Sequence, residues 1–343
     1  MAAEIQLREM VQKEYDSWNR LVAASPSGSV YALPAYLDVL CSSTGGSFSI
    51  LGVFRGSELV GGMPIYSEGS RGGRMVYNRL LLYYLSPVIR EYSGQYPYER
   101  TSKHLAILRP IEEYLRTLEC SYLHVNFRHP IADVRTFLSD AWHVQPSYTY
   151  MVNIKDLEET WRRIEQNMRR LITRAQKQGL VFTDDDDFDS FFRLHAEIHE
   201  RKGGPLYLPE ASFRSYYERL MALSLARLFH ARLPDGRSVA SQLVLTGPKP
   251  VAHTVCAGAS GEHMQSGSTP FLRWKSFECL SGLGYSWNDL TDARLNDVTR
   301  FKGQLGGDLM VNWAIMKRPS IRYRIFQKID FLKTVHQRLK RRI

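Results

Sequence analysis

The chain is poor in cysteine. Its four cysteines, Cys41, Cys120, Cys256 and Cys279, lie far apart in 343 residues and form no CxxC pair. That usage argues against a disulfide framework and a Cys-rich zinc site, and makes a reducing cytoplasm the expected compartment. Long apolar runs are missing too. The longest, Leu80 to Ile89 (LLLYYLSPVI), falls far short of the ~18–20 residues that span a bilayer. The opening segment, MAAEIQLREM, has neither a basic nor an apolar stretch, and is not expected to be a secretory signal. With 44% hydrophobic and 23% charged residues, the composition excludes a mainly disordered or collagen-like chain. At roughly 100–200 residues per domain the length suggests two domains.

Acidic residues are scarce at one end. From Lys317 onward ten basic residues face a single acid, Asp330, so the tail carries +9 of the net +10. The rest of the chain is close to neutral. Any attraction to polyanions is therefore a property of the tail. Ile321, Ile325, Ile329, Leu332, Val335 and Leu339 recur there at helical spacing, opposite Arg and Lys. A basic amphipathic helix of this kind either lies on anionic lipid or RNA, or packs on the body with a solvated face.

Helix and strand signals alternate, as in an α/β or α+β fold. Tyr15–Ala24 reads as a helix. Phe48–Phe54 and Leu59–Tyr66 read as a hairpin around Arg55-Gly56-Ser57-Glu58. Thr101–Glu119 has helical spacing, and Tyr122–Phe127 is a strand. The order then returns. Arg227–Arg232 and Ser238–Thr246 flank the turn Pro234-Asp235-Gly236, and Val251–Ala259 is a third strand. A helix is expected over Pro270–Leu283, with Thr269 as N-cap and Pro270 at N1, followed by a strand, Tyr285–Leu290. Hairpin, helix and strand thus occur twice, which reads as a duplicated α/β unit with a boundary near residue 150. Between the halves, Leu157–Gln178 is expected to be one charged helix, ended by Gly179.

The second half carries a connected series of motifs: NMRRLITRAQKQGL (Asn167–Leu180), FFRLHAEIHERKGGPLYLP (Phe191–Pro209), PDGRSVASQLVL (Pro234–Leu245), STPFLRWKSFE (Ser268–Glu278), GYSWNDL (Gly284–Leu290) and RFKGQLGG (Arg300–Gly307). The series resembles the FemAB-like branch of the Gcn5-related N-acyltransferase (GNAT) superfamily, over about residues 160–316, with the first half similar in outline. The resemblance implies tandem GNAT-like domains, each a mixed, mostly antiparallel sheet flanked by helices. The N-terminal domain would span 1–150, the FemAB-like acyltransferase domain 151–316, and the basic tail 317–343. It implies an amide-forming enzyme with no tightly bound cofactor, whose co-substrate is acyl-CoA or aminoacyl-tRNA. The family's Phe-Lys pair maps onto Phe301 and Lys302, its strand-end Asp onto Asp289, and the Arg of its charged helix onto Arg169. Two departures stand near the substrate. Thr291-Asp292 replaces the usual Gly after the strand-end pair, and Thr269 stands where relatives often have Asn.

Amide formation needs a neutral amine, a carbonyl held close, and a donor for the developing oxyanion. Lys302 is the candidate donor, or a clamp on an acceptor carboxylate or phosphate, with Phe301 excluding water beside it. Asp289 and Asp292 would orient Lys302 or accept the amine proton. Arg169, Arg174, His253 and Thr269 are the further candidates for substrate contact. Read without the family, Lys302 is a surface lysine, Asp289 and Asp292 are strand-end and turn acids, and His253 is a hydrogen-bonded core histidine. His195 and His199, four apart on a helix, lack HExxH and a third ligand, and no metal site is expected. Asp184–Asp187 lacks the Gly and Glu of a calcium loop and reads as a helix-capping turn. The loop that would cradle the pyrophosphate of acyl-CoA, Gln265-Ser266-Gly267-Ser268-Thr269-Pro270, has one Gly and a Pro that removes a donor. The Arg71-Gly72-Gly73-Arg74 cluster reads as a hairpin loop.

The sequence thus points to an N-acyltransferase. It would join an activated acyl or aminoacyl group to an amine on a peptidoglycan, polysaccharide or other cell-envelope precursor, either a small molecule or lipid-linked. The expected setting is the cytoplasm, including the inner face of the membrane, with tRNA and anionic lipid as partners the tail could meet. The alternative is a non-catalytic protein of the same fold that holds RNA or anionic lipid.

Overall fold

The computed structural model describes residues 4–92, 96–263, 266–320 and 323. The first half of the chain runs β1 (Ile5–Glu9), α1 (Tyr15–Ala24), α2 (Pro34–Thr44), β2 (Ser47–Arg55), β3 (Glu58–Ser70), β4 (Gly73–Tyr77), β5 (Val88–Ile89), α3 (Pro97–Thr117), β6 (Tyr122–Phe127) and β7 (Trp142–Asn153). The second runs α4 (Leu157–Arg163), α5 (Gln166–Lys177), β8 (Val181–Asp184), α6 (Phe188–Lys202), α7 (Glu210–Ala222), β9 (Ala226–Arg232), β10 (Ser238–Leu245), β11 (Val251–Ala259), α8 (Ser268–Gly282), β12 (Trp287–Asp289), α9 (Asp297–Gln304) and β13 (Asp308–Lys317).

All these strands join one mixed, mostly antiparallel sheet. Its order is β1-β2-β3-β4-β6-β13-β7-β12-β11-β10-β9-β8, with β5 paired to β3. Read inward from either edge, the sheet repeats itself. Three antiparallel pairings come first, then one parallel pairing (β4 with β6, β11 with β12), then an antiparallel one. Each parallel step is made by a crossover helix, α3 or α8, as parallel strands require. The innermost place is exchanged. The last strand of the first half, β7, pairs β12 of the second, and the last strand of the second, β13, pairs β6 of the first. The two exchanged strands also pair with each other, from Asp308↔Met151 to Lys317↔Trp142.

Burial explains why the local patterns look as they do. All eight residues of β10 (SVASQLVL) are buried, because helices cover both faces of that strand, so it shows no alternation. By contrast β6 (YLHVNF) alternates half-buried and buried. One apolar cluster joins α2, α6 and α7 to the sheet, and a second lies between the sheet and α4, α5 and α8.

Two local expectations are corrected here. The charged segment is two helices, not one. Ile164 and Glu165 are extended, the Glu165 side chain accepts from Met168 N–H to cap α5, and Glu165 N–H reaches the Gln304 carbonyl at 3.0 Å. The chain breaks there because Glu165 serves the second helix and docks the end of α9. The N-cap of α8 is Gly267, at φ +82°, with no side-chain bond. Thr269 therefore lies inside the first turn. The tail beyond Ser320, apart from Tyr323, lies outside the described residues, and Lys317 itself ends β13.

Candidate active site

The site forms where two parallel strands part. β11 and β12 pair only from Val251↔Trp287 to His253↔Asp289. Past that point the chain turns toward β7: Leu290 N–H donates to the Tyr150 carbonyl and Ala293 N–H to that of Tyr148. β11 instead stays with β10, and bulges. Leu243 opposes Cys256 and Val244 opposes Thr254, which leaves Val255 as the extra residue. The Tyr83 hydroxyl from the first half donates to the Val255 carbonyl at 3.0 Å.

Asp289 sits at the root of this fork, fully buried. Its Oδ2 accepts from Tyr84 OH (2.9 Å) and His253 Nδ1 (3.1 Å). Its Oδ1 accepts from Thr149 Oγ1 (2.5 Å) and Thr291 N–H (2.8 Å). Burial alone would raise the carboxyl pKa. The bonds from His253, Thr149 and Thr291 outweigh it and hold the group well below the usual carboxylate range. His253 is equally buried, and burial lowers its pKa against the pull of Asp289. A neutral imidazole donating from Nδ1 fits that pairing. Both residues are interior groups, held between β11, β12, β7 and the Tyr31–Tyr84 aromatic wall of the first half. A carboxylate so stabilised is a poor proton acceptor. It holds the Thr291 N–H in place.

Thr291 and Asp292 both have positive φ, +49° and +37°. A β-branched residue in that region is strained by about 1–2 kcal/mol. The left-handed backbone here is one that glycine adopts without strain. Thr291 tolerates it because Asp289 takes its N–H and its own Oγ1 donates to the Thr254 carbonyl at 2.9 Å. The turn presents two carbonyls in one direction. Lys302 Nζ donates to both, to Thr291 O and, at 2.7 Å, to Asp292 O. The Asp292 carboxylate itself turns outward to Arg294 (3.2 Å).

Lys302 is not a loop lysine. It is half-buried on α9, whose start is capped by Asn296 Oδ1 accepting from Thr299 N–H at 3.0 Å. Burial first, and then the Arg273 guanidinium, push its pKa down to about 8, against the opposing pull of Asp292 and Asp289. An ammonium has three N–H donors. Two are spent on the turn, which leaves one to aim at a reacting oxygen. Phe301, the neighbouring residue, is half-buried against the cluster under α5 and α8.

The remaining candidates fall elsewhere. Arg169 and Arg174 lie on the outer face of α5, in a groove of about 560 Å³ with Trp161, Arg170 and Lys177. His195 turns to Cys256, with Nδ1 3.2 Å from Sγ. Asp187 caps α6 through Ser190 N–H, and Arg232 and Arg227 pair with the acidic turn. Among the described residues no three His, Cys, Asp or Glu side chains converge as a metal set. The first turn of α8 has fewer free donors for a phosphate than its length would give: Ser268 N–H donates to Ser266 Oγ at 3.3 Å, and Pro270 has no N–H.

Sequence reasoning missed Thr291 as a holder of Lys302, the first-half residues Tyr84 and Tyr31 around Asp289, and Arg273. Two of these had a signal. The Gly-to-Thr departure marked the left-handed turn. Arg273 is the charged member of a helically spaced set with Ser276, Phe277 and Leu280.

The chain is similar to known proteins in fold and, over part of its length, in sequence. Residues 162–302 match the family model described as an acetyltransferase (GNAT) domain, a span that ends on Lys302. No curated protein matches the sequence. Among solved structures, the crystal structure of FemX superposes with TM-score 0.67 at 14% identity, covering 94% of this chain and 99% of that one. The C-terminal domain of a putative lysylphosphatidylglycerol synthetase from Agrobacterium fabrum gives 0.58 at 11% identity, covering 94% and 98%. A tandem GNAT protein from the clavulanic acid biosynthesis pathway gives 0.54 at 12%, covering 92% and 98%. Residues 162–302 thus carry a match to a GNAT acetyltransferase domain, and the chain shares the fold of FemX along nearly its whole length.

Proposed function

We propose that the protein forms an amide between an activated acyl or aminoacyl group and an amine of a cell-envelope precursor, with Lys302 as the oxyanion donor. The observation that carries this reading is the posture of Lys302. Its ammonium is fixed by the Thr291 and Asp292 carbonyls at the fork between β11 and β12, with one N–H left over. In the reaction the amine nitrogen attacks the acyl carbon. The C–N bond forms, the C–S bond of a thioester or the C–O bond of an aminoacyl ester breaks, and the amine proton ends on the leaving group. Charge develops on the carbonyl oxygen meanwhile, and a donor already in place needs no reorganisation. Asp289 acts through Thr291 as a positioning residue, and Phe301 shields the ammonium from water.

The fold likeness to a lysylphosphatidylglycerol synthetase domain, whose name describes an aminoacylated lipid, supports an envelope acceptor and an aminoacyl donor. The first turn of α8, short of the Ser268 and Pro270 donors, supports the same donor over acyl-CoA. The basic tail supports a setting at the inner membrane face or a contact with tRNA. The two units, residues 1–150 and 151–316, would act together, since residues of both surround Asp289. Mass spectrometry of envelope precursors from cells with and without the gene tests the reading. An acylated amine that disappears with the gene is expected, and unchanged precursors would count against it.

A further inference from the structure

Arg273 is a buried cation without a counter-ion. It is 8% exposed, on the sheet-facing stripe of α8 with Ser276, Phe277 and Leu280, each fully buried. No carboxylate pairs with it among the described residues, and its Nη1 has neither solvent nor a hydrogen-bond partner. A second orphan lies on the facing strand. Gln242 of β10 is 1% exposed, and neither its Oε1 nor its Nε2 has a partner. It is two residues from both Ala240 and Val244, which belong to the cluster packed under α8, so the amide faces the same layer. A desolvated guanidinium and a desolvated amide are both unfavourable unless something pairs with them. Arg273 is also close enough to Lys302 and Cys256 to move the proton affinity of each. Helix α8 packs on both β10 and β11, and Cys256, opposite Leu243, adjoins the bulge at Val255.

We propose that Arg273, aided by Gln242, binds an oxyanion of the substrate, a carboxylate or a phosphate, beside the ammonium of Lys302. The inference rests on Lys302 marking the reacting centre, and it names the substrate class: the amine to be acylated carries an acidic group near the reacting nitrogen. Chemistry favours this occupant. A guanidinium offers a planar fork of N–H donors that matches carboxylate and phosphate oxygens, and Gln242 Nε2 supplies a neutral donor that adds no charge to the buried layer. A bound oxyanion would offset two cations that otherwise repel each other.

The test uses the full-length protein and needs no knowledge of the reaction. Melting temperature is followed against sodium acetate, and separately against inorganic phosphate, with sodium chloride at matched ionic strength as the reference. A saturable rise of roughly 2–4 °C is expected with one of the two anions. Acetate as the effective anion assigns a carboxylate and phosphate a phosphate. Arg273→Met should melt at or above the wild-type temperature in chloride, because an uncompensated buried charge is gone, and should lose the anion response. A second reading does not depend on that variant folding: the effective anion should slow the labelling of Lys302 by an amine-reactive reagent several-fold. No anion-specific response in the wild type, or an equal response in Arg273→Met, would overturn the proposal. Either outcome leaves the acyl-transfer reading to its own test.

Discussion

At the scale of single residues, Lys302 and Thr291 divide the work, and substitutions separate them. Lys302→Met should lower turnover by about 10²–10³, the usual loss of one oxyanion donor. Two turn carbonyls lose a partner, so a stability loss of about 1 kcal/mol is also expected. Steady-state kinetics beside urea unfolding reads both. The pH dependence follows from the lowered pKa of Lys302, about 8. In the proposed role the donor is an ammonium, so activity should fall as pH rises through about 8, an alkaline limb that Lys302→Met lacks. The linkage has a definite sign. A lysine with pKa depressed from 10.5 to about 8 binds fewer protons folded than unfolded between those values. Its contribution therefore makes stability rise with pH across that window. Thr291→Val keeps the strained left-handed backbone and removes the bond to Thr254, which should cost about 1–3 kcal/mol. Thr291→Gly removes both the strain and the bond, and should stay within about 1 kcal/mol of wild type. Urea melts in which the two variants behave alike would remove strain from the explanation.

At the scale of elements, the legible parts of the sequence were those with a local signal. Tyr15–Ala24, Tyr122–Phe127 and Val251–Ala259 are formed with the bounds read from the sequence. Their ends are marked by turn residues and their patterns by periodicity. What was not legible depends on contacts from far along the chain. The break at Ile164-Glu165 is set partly by the end of α9, some 140 residues away. Helix α9 went unread although it carries the Phe301-Lys302 pair, because eight residues with one buried side chain, Thr299, leave no apolar stripe to read. Its Asn296-x-x-Thr299 start was the available cue. Read from the residues alone Lys302 was a surface lysine, and the structure sets it half-buried on α9. Asn296→Ala should cost about 0.5–2 kcal/mol and lower turnover with it. Faster amide exchange confined to α9 would show that the loss acts through the helix.

At the scale of the whole molecule, the duplicated order was readable and the exchange of strands was not. Hairpin, helix and strand recur in each half, and the sheet keeps that recurrence from both edges. Nothing local in β7 or β13 says which half each will join. Both are strands whose partners are chosen by register and burial at the centre. The consequence is testable. A chain divided between Asn153 and Asp156 leaves β6 without β13 in one piece and β12 without β7 in the other, exposing unpaired edges. Neither piece should unfold cooperatively alone, and the two expressed together should recover one cooperative transition. A piece that folds by itself would show the exchange to be dispensable. The same exchange accounts for the mixed parentage of the site, where Tyr84 and Thr149 of the first half hold Asp289 of the second.

The most direct measurement of the central claim is acyl transfer with and without the Lys302 ammonium. An extract of the native cells' small molecules and lipids is incubated with aminoacyl-tRNA and, separately, with acyl-CoA, using wild-type protein or Lys302→Met, and analysed by mass spectrometry. An amine that gains the acyl mass with wild-type protein, at a rate about 10²–10³ lower in the variant, is the predicted result. Equal product from the two proteins, or none from the wild type with either donor, would contradict it.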